Sequence, residues 1–216
     1  MRKNQVAWQP YAMRLGLLGP ANGQGEALER AARFLHQELA VQRAVYLGTD
    51  SALDELVRRW AESLVGADPA DHALWNRAAE SCVGATPHEI DAFLVAERER
   101  RSLSIFESLP GDGTRLLELL GGRVVVMIHD KADLDEDDIA SANVLVYGKS
   151  GEPLVKQVGS RWFLSPGSLD HFGMMVLEDL DDGIHLALFD NMGREIRRER
   201  FIAGSGPRLS MRSPES

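Results

Sequence analysis

Three observations predict an α/β protein with two mixed sheets and flanking helices. The chain opens with a strand, a helix and a strand, the start of an α/β layer. A block of about 60 residues with helical periodicity and no strand signal comes next. From Thr114 onward, short apolar runs alternate with glycine turns, a pattern of largely antiparallel strands.

Met13–Leu18 is an apolar run closed by Gly19-Pro20, which reads as a buried strand. Gly19–Gly25 is a loop. Glu26–Leu39 places Ala27, Leu28, Ala31, Phe34, Leu35 and Leu39 near helical period. Ala44–Leu47 is a second short strand, ended by Gly48. Ser51–Leu109 carries no convincing strand. In it, Asp50 or Ser51 caps a helix bearing Leu53, Leu56, Val57, Trp60 and Leu64, and a second helix spans Asp71–Cys82. Thr86-Pro87-His88-Glu89 sets an N-cap Thr, Pro at the first helical position and Glu at the capping-box position. That third helix runs past Glu97-Arg98-Glu99-Arg100-Arg101, whose arginines read as a solvated face.

Leu116–Leu120 and Val124–Ile128 flank Gly121-Gly122 and form a hairpin, because two glycines supply the positive φ of a tight turn. Asp135–Ala142 is a short helix with an acidic start. Val144–Tyr147 is a strand, and Leu154–Val158 with Arg161–Leu164 is a second hairpin. Met174–Leu177, Ile184–Phe189 and Arg194–Phe201 complete the strands. Gly204–Ser216 is rich in Gly, Ser, Pro and Arg and reads as a flexible tail.

The 216 residues suffice to bury a hydrophobic core without disulfide or metal staples. A net charge of -9 argues against a general nucleic-acid binder or a protein that coats anionic membranes. The single Cys82 excludes an internal disulfide framework and a cysteine-rich zinc site. It fits a cytoplasmic location. No apolar run is long enough for a transmembrane helix. Met1-Arg2-Lys3 begins like a leader, but Asn4, Gln5 and Gln9 deny it an apolar stretch, so no signal peptide is expected.

Isolated motifs say little. The Gly19–Gly25 loop lacks the Gly-Lys-Ser/Thr ending of a P-loop, and Leu28 stands where a dinucleotide fingerprint needs Gly. None of the six histidines makes a metal-binding pair on one helix. His129 stands out because it comes directly after the apolar run Val124–Ile128 at a strand end, where sites in α/β sheets gather. The acidic run from Asp130 to Asp138 reads as a solvated helix start.

Taken in order, the loops carry more. Arg14-Leu15-Gly16-Leu17-Leu18, Gly148-Lys149-Ser150-Gly151-Glu152-Pro153 and Trp162-Phe163-Leu164-Ser165-Pro166-Gly167-Ser168 occur as strands and strand ends in a fixed sequence. This order resembles the calcineurin-like metallophosphoesterases, especially their small bacterial and archaeal phosphodiesterase branch. The resemblance covers Met13–Gly48 and Leu116 to about Phe201. It implies a metallophosphoesterase-like αββα sandwich over residues 1–203, with a helical insertion at about 51–110 and the tail at 204–216.

In that family two metal ions activate a water for attack on phosphorus. The resemblance sets Pro20 and Asn22 at the Asp and His of the first metal loop. It sets Thr49 at the bridging Asp, with Asp50 one residue late. His129 matches a later ligand, Lys149 and Gly151 replace the final pair, and the Gly-Asn-His loop has no counterpart. Pro and Gly side chains cannot ligate, Thr is a poor substitute for a bridging carboxylate, and an ammonium repels a cation. A two-metal centre needs several ligands and an open position. No resident cofactor and no ordinary two-metal activity are expected.

These residues leave three functional readings. The first is a catalytically degenerate member used as a protein-interaction or regulatory module, with Trp60, Trp75 and Phe93 of the insertion as candidate anchors. The retromer subunit of the same family gives the precedent. The second is a sensor of a phosphate-containing small ligand held in the old cleft by Asn22, Thr49, Asp50, His129 and Lys149. The third is a phosphodiesterase or phosphatase rebuilt around one divalent ion such as manganese or zinc, with Asp50, His129 and Asp130 as ligands beside Asn22. A homo-oligomer is compatible with all three.

Overall fold

The computed structural model describes residues 13–66, 68–111 and 113–201. The N-terminal segment read for a leader and the tail at 204–216 lie outside the described residues. Sheet A contains β1 (Arg14–Leu18), β2 (Arg43–Tyr46), β3 (Phe106–Ser108), β9 (Met174–Leu180), β10 (Gly183–Phe189) and β11 (Glu195–Phe201). Its strand order is β11-β10-β9-β1-β2-β3. Sheet B contains β4 (Arg115–Leu120), β5 (Arg123–Ile128), β6 (Val144–Tyr147), β7 (Leu154–Val158) and β8 (Arg161–Ser165), in the order β4-β5-β6-β8-β7.

Both sheets are mixed. β1, β2 and β3 run parallel, while β9 joins β1 antiparallel. In sheet B the strands β5, β6 and β8 are parallel, with an antiparallel strand on each side. The second half is largely antiparallel as expected, with β5, β6 and β8 as its parallel strands. The parallel links need crossovers, and α5 (Glu136–Ser141) supplies the one between β5 and β6.

Alternation along the strands sets the layers. Leu15, Leu17, Val45, Leu47, Val125, Met127, Val144, Val146 and Leu164 form the core between the sheets. Leu18, Ala44 and Tyr46 face the other way, onto α1 (Gly25–Arg33) and α2 (Ala52–Val65). On the outer face of sheet B, Val126 and Leu145 pack with Ala142 and Leu134 at the α5 segment. Helix, sheet, sheet and helix give the αββα sandwich.

The helix expected over Glu26–Leu39 is α1, continued by a π-helical turn at Phe34–Glu38. The helix expected over Asp71–Cys82 is a 3₁₀ turn leading into α3 (Leu74–Cys82). α4 (Pro87–Ser102) begins with the full capping box of Thr86 and Glu89. The Gly121-Gly122 turn has both glycines at positive φ, 58° and 71°.

Two readings of the block are overturned. It holds a strand, β3, which pairs in parallel with β2. Three half-buried residues at a sheet edge are too few to show alternation, and the end of α4 delivers them there. Arg100 is not solvated either. It is buried, and Glu97 Oε2 accepts from its Nε at 2.8 Å while Asp71 Oδ1 accepts from its Nη2 at 2.7 Å. Glu97 Oε1 also accepts from Arg77 Nε at 2.7 Å, so one buried carboxylate joins two buried guanidiniums from α3 and α4. No helix among the described residues is long and apolar enough to cross a membrane.

Candidate functional site

The C-terminal ends of the parallel strands in both sheets meet at one rim. That is where ligands gather on α/β sheets. The contacts are too close for side chains. A Cβ on Gly19, after β1, would fall 1.7 Å from Gly167 O, after β8. A Cβ on Gly148, after β6, would fall 2.2 Å from Leu47 O, after β2. Glycine at these positions lets loops of the two sheets touch, backbone on backbone.

Tyr46 ties the first two loops. Its ring lies under Gly48, where a Cβ would be 2.3 Å from it, and the residue is fully buried. The hydroxyl accepts from Ala21 N at 2.9 Å and donates to Asp50 Oδ1 at 2.9 Å. Burial first, and then the Asp50 carboxylate, hold the phenol well above its ordinary pKa, so it stays protonated. Asp50 also accepts from Ala52 N at 3.1 Å, which settles the start of α2.

On the sheet B side, His129 Nδ1 lies 2.8 Å from Leu47 O. A carbonyl only accepts, so Nδ1 donates to it. Lys149 N donates to His129 O at 2.7 Å. The Lys149 ammonium pairs with Asp130 Oδ2, and Asp130 Oδ1 accepts from Ala132 N at 3.0 Å. The lysine hydrogen bond holds the Asp130 carboxyl below its usual range, and the same bond raises Lys149.

The expected site residues thus fall into separate contacts on one rim. His129, Asp130 and Lys149 form one cluster. Asp50 belongs to Tyr46. Thr49 is exposed. Asn22 is exposed, sits at φ 50°, and reaches Asp170 Oδ2 at 3.3 Å, which Ser168 Oγ also meets at 3.0 Å. Tyr46 and Asp170 were not singled out from sequence, and Ser168 was read only as part of its loop motif. A tyrosine in an otherwise apolar strand beside Gly48 was the available signal for the first.

The residues do not fit the family's metal pair. Among the described residues no three His, Cys, Asp or Glu side chains come together so as to hold an ion, and Asp50, His129 and Asp130 form no such group. The Asp130 carboxylate is engaged by the Lys149 ammonium, and the Asp50 carboxylate by a phenol.

In the helical block, Trp60 packs rather than protrudes. Phe106 meets it edge-on at 6.0 Å, the Arg33 guanidinium lies 4.7 Å over its ring, and Glu29 accepts from its Nε1 at 3.4 Å. Phe93 is half-buried and lines a cavity of about 540 Å³ between α2, α3 and α4. Trp75 is 79% exposed, and Val83 at the end of α3 is exposed with it.

No protein-family model matches the chain, and no curated protein does. Solved structures do. Vps29 of Chaetomium thermophilum superposes with a TM-score of 0.50 at 13% identity, covering 91% of this chain and 100% of that one. A protein of Streptococcus pneumoniae described as a predicted phosphoesterase gives 0.48 at 12% identity, over 88% of this chain and 98% of its own. An archaeal phosphodiesterase gives 0.47 at 12% identity, over 82% and 100%. With the sandwich and the rim described above, the chain has the calcineurin-like metallophosphoesterase fold.

Proposed function

We propose that this is a catalytically degenerate metallophosphoesterase-like protein that works as a protein-interaction module. One observation carries the reading: the candidate ligands Asp50, His129 and Asp130 on the rim are each engaged by other groups of the protein. Tyr46 takes Asp50, Lys149 takes Asp130, and His129 Nδ1 is held by the Leu47 carbonyl. A centre that must activate water needs open ligand positions, and these groups leave none assembled. The insertion supplies the other half of the reading. It keeps Trp75 in solvent, and large aromatic side chains dominate interface energetics.

A second reading has its own support. The Lys149 ammonium stands on the rim, and a phosphate could take it from Asp130. One titration decides between the two. Calorimetry with inorganic phosphate is expected to give no binding heat for the wild type or for Lys149→Ala. Phosphate binding that disappears in Lys149→Ala would transfer the function to the cleft.

A further inference from the structure

β4 ends sheet B, and its outer edge is unlike the others. The two-residue turn makes Leu120 and Arg123 the closing pair of the hairpin. In such a hairpin the residues alternate between facing the partner strand and facing away. Leu117 and Leu119 therefore turn their N–H and C=O groups away from β5. Leu119 N meets its own neighbour's Glu118 Oε1 at 3.3 Å. The side chains of the same two residues stand on the outer face, 60% and 64% exposed, next to Val124 and Val126.

Exposed edges are ordinarily blunted by charge or by shortness. β3 is only three residues long, β7 carries Lys156, and β11 alternates Arg197, Arg198 and Arg200 with Glu195 and Glu199. β4 has no such device free. Its Arg115 is taken by Asp135 and Asp138 at α5, and its Glu118 by Arg43 of β2.

We propose that β4 is a homodimer interface, pairing antiparallel with β4 of a second copy so that the two B sheets become one. Faces are kept only if odd-numbered residues oppose odd-numbered ones. In the register that opposes Leu117 to Leu119 of the second copy, four leucines meet on the outer face, and Leu116 meets Leu120 of the second copy on the inner face. The two Glu118 carboxylates meet at the axis, each paired with the Arg43 guanidinium of its own chain, which also holds Glu107.

Sedimentation velocity over a concentration series tests this. The wild type should shift toward a species of twice the 23.8 kDa chain mass. The double variant Leu117→Lys/Leu119→Lys should stay monomeric, with dissociation at least about 10-fold easier, since edge lysines oppose strand addition. Circular dichroism checks that it folds, and Leu117→Thr/Leu119→Thr, which keeps strand propensity, serves if it does not. The Leu117 and Leu119 amides should gain hydrogen-exchange protection as concentration rises. A wild type that remains monomeric at every concentration overturns the proposal, as does a dimer that both variants leave intact.

Discussion

Glu97→Ala should lower stability by about 3–5 kcal/mol, the cost of stripping one partner from a buried ion network. Glu97 accepts from Arg77 Nε and Arg100 Nε, and all three side chains are buried. Arg77 Nη2 already lacks a partner among the described residues. Its Nη1 is held by the carbonyls of Asp68 and Ala70, at 2.5 Å and 2.9 Å. Without the carboxylate, two guanidiniums from different helices would face each other unneutralised between α3 and α4. In a chain of this size that loss corresponds to a fall in Tm on the order of 10 °C.

The pH dependence has a definite sign. Arg77 first, and then Arg100, hold the Glu97 carboxyl below its ordinary 4.5 against the opposing effect of burial. A carboxyl depressed on folding contributes stability above its unfolded value and loses it as pH falls through the folded one. The gap between wild type and Glu97→Ala should therefore be full near neutrality and shrink below pH 4.5. Thermal melts at several pH values check both statements. A variant that melts with the wild type at neutral pH would mean the network carries no net stability.

The second large effect is expected at Gly19. The added methyl of Gly19→Ala would sit 1.7 Å from Gly167 O and 2.9 Å from Gly167 C. Neither side yields easily. Gly19 N is bonded to Gly173 O at 2.8 Å, and Gly167 is itself held at φ 77°. Overpacking commonly costs about 1–3 kcal/mol, and a backbone-on-backbone collision belongs at or above the top of that range. Gly25→Ala is the control. It has nothing within 4 Å and opens α1, so it should be neutral or slightly stabilising. Equal melting temperatures for the two variants would show that the loops after β1 and β8 are not in enforced contact.

Those two positions also show what sequence could and could not tell. The turns and strand ends were legible because glycine and proline mark them locally. Gly19-Pro20, Gly48, Gly148 and Ser165-Pro166-Gly167-Ser168 all arrive at one rim, in the order that the resemblance implied. His129 was legible as the residue just past a buried strand. The Arg77–Glu97–Arg100 network was not. Glu97-Arg98-Glu99-Arg100-Arg101 has the composition of a solvated face, and burial of two of its members depends on α3 packing across α4, which no local pattern encodes. Tyr46 was missed for a similar reason. Its meaning comes from Ala21 and Asp50, loop residues that only the parallel pairing of β1 and β2 brings within reach. β3 escaped because an edge strand of three residues has no periodicity to read.

On the proposed function, the rim between the two sheets holds no metal centre. Elemental mass spectrometry on the desalted protein, after equilibration with manganese and zinc, tests this most directly. Essentially no retained ion per chain is the expected result. Close to two ions per chain would contradict it and restore a phosphoesterase, and a single ion lost in His129→Ala would contradict it in favour of a rebuilt one-metal site.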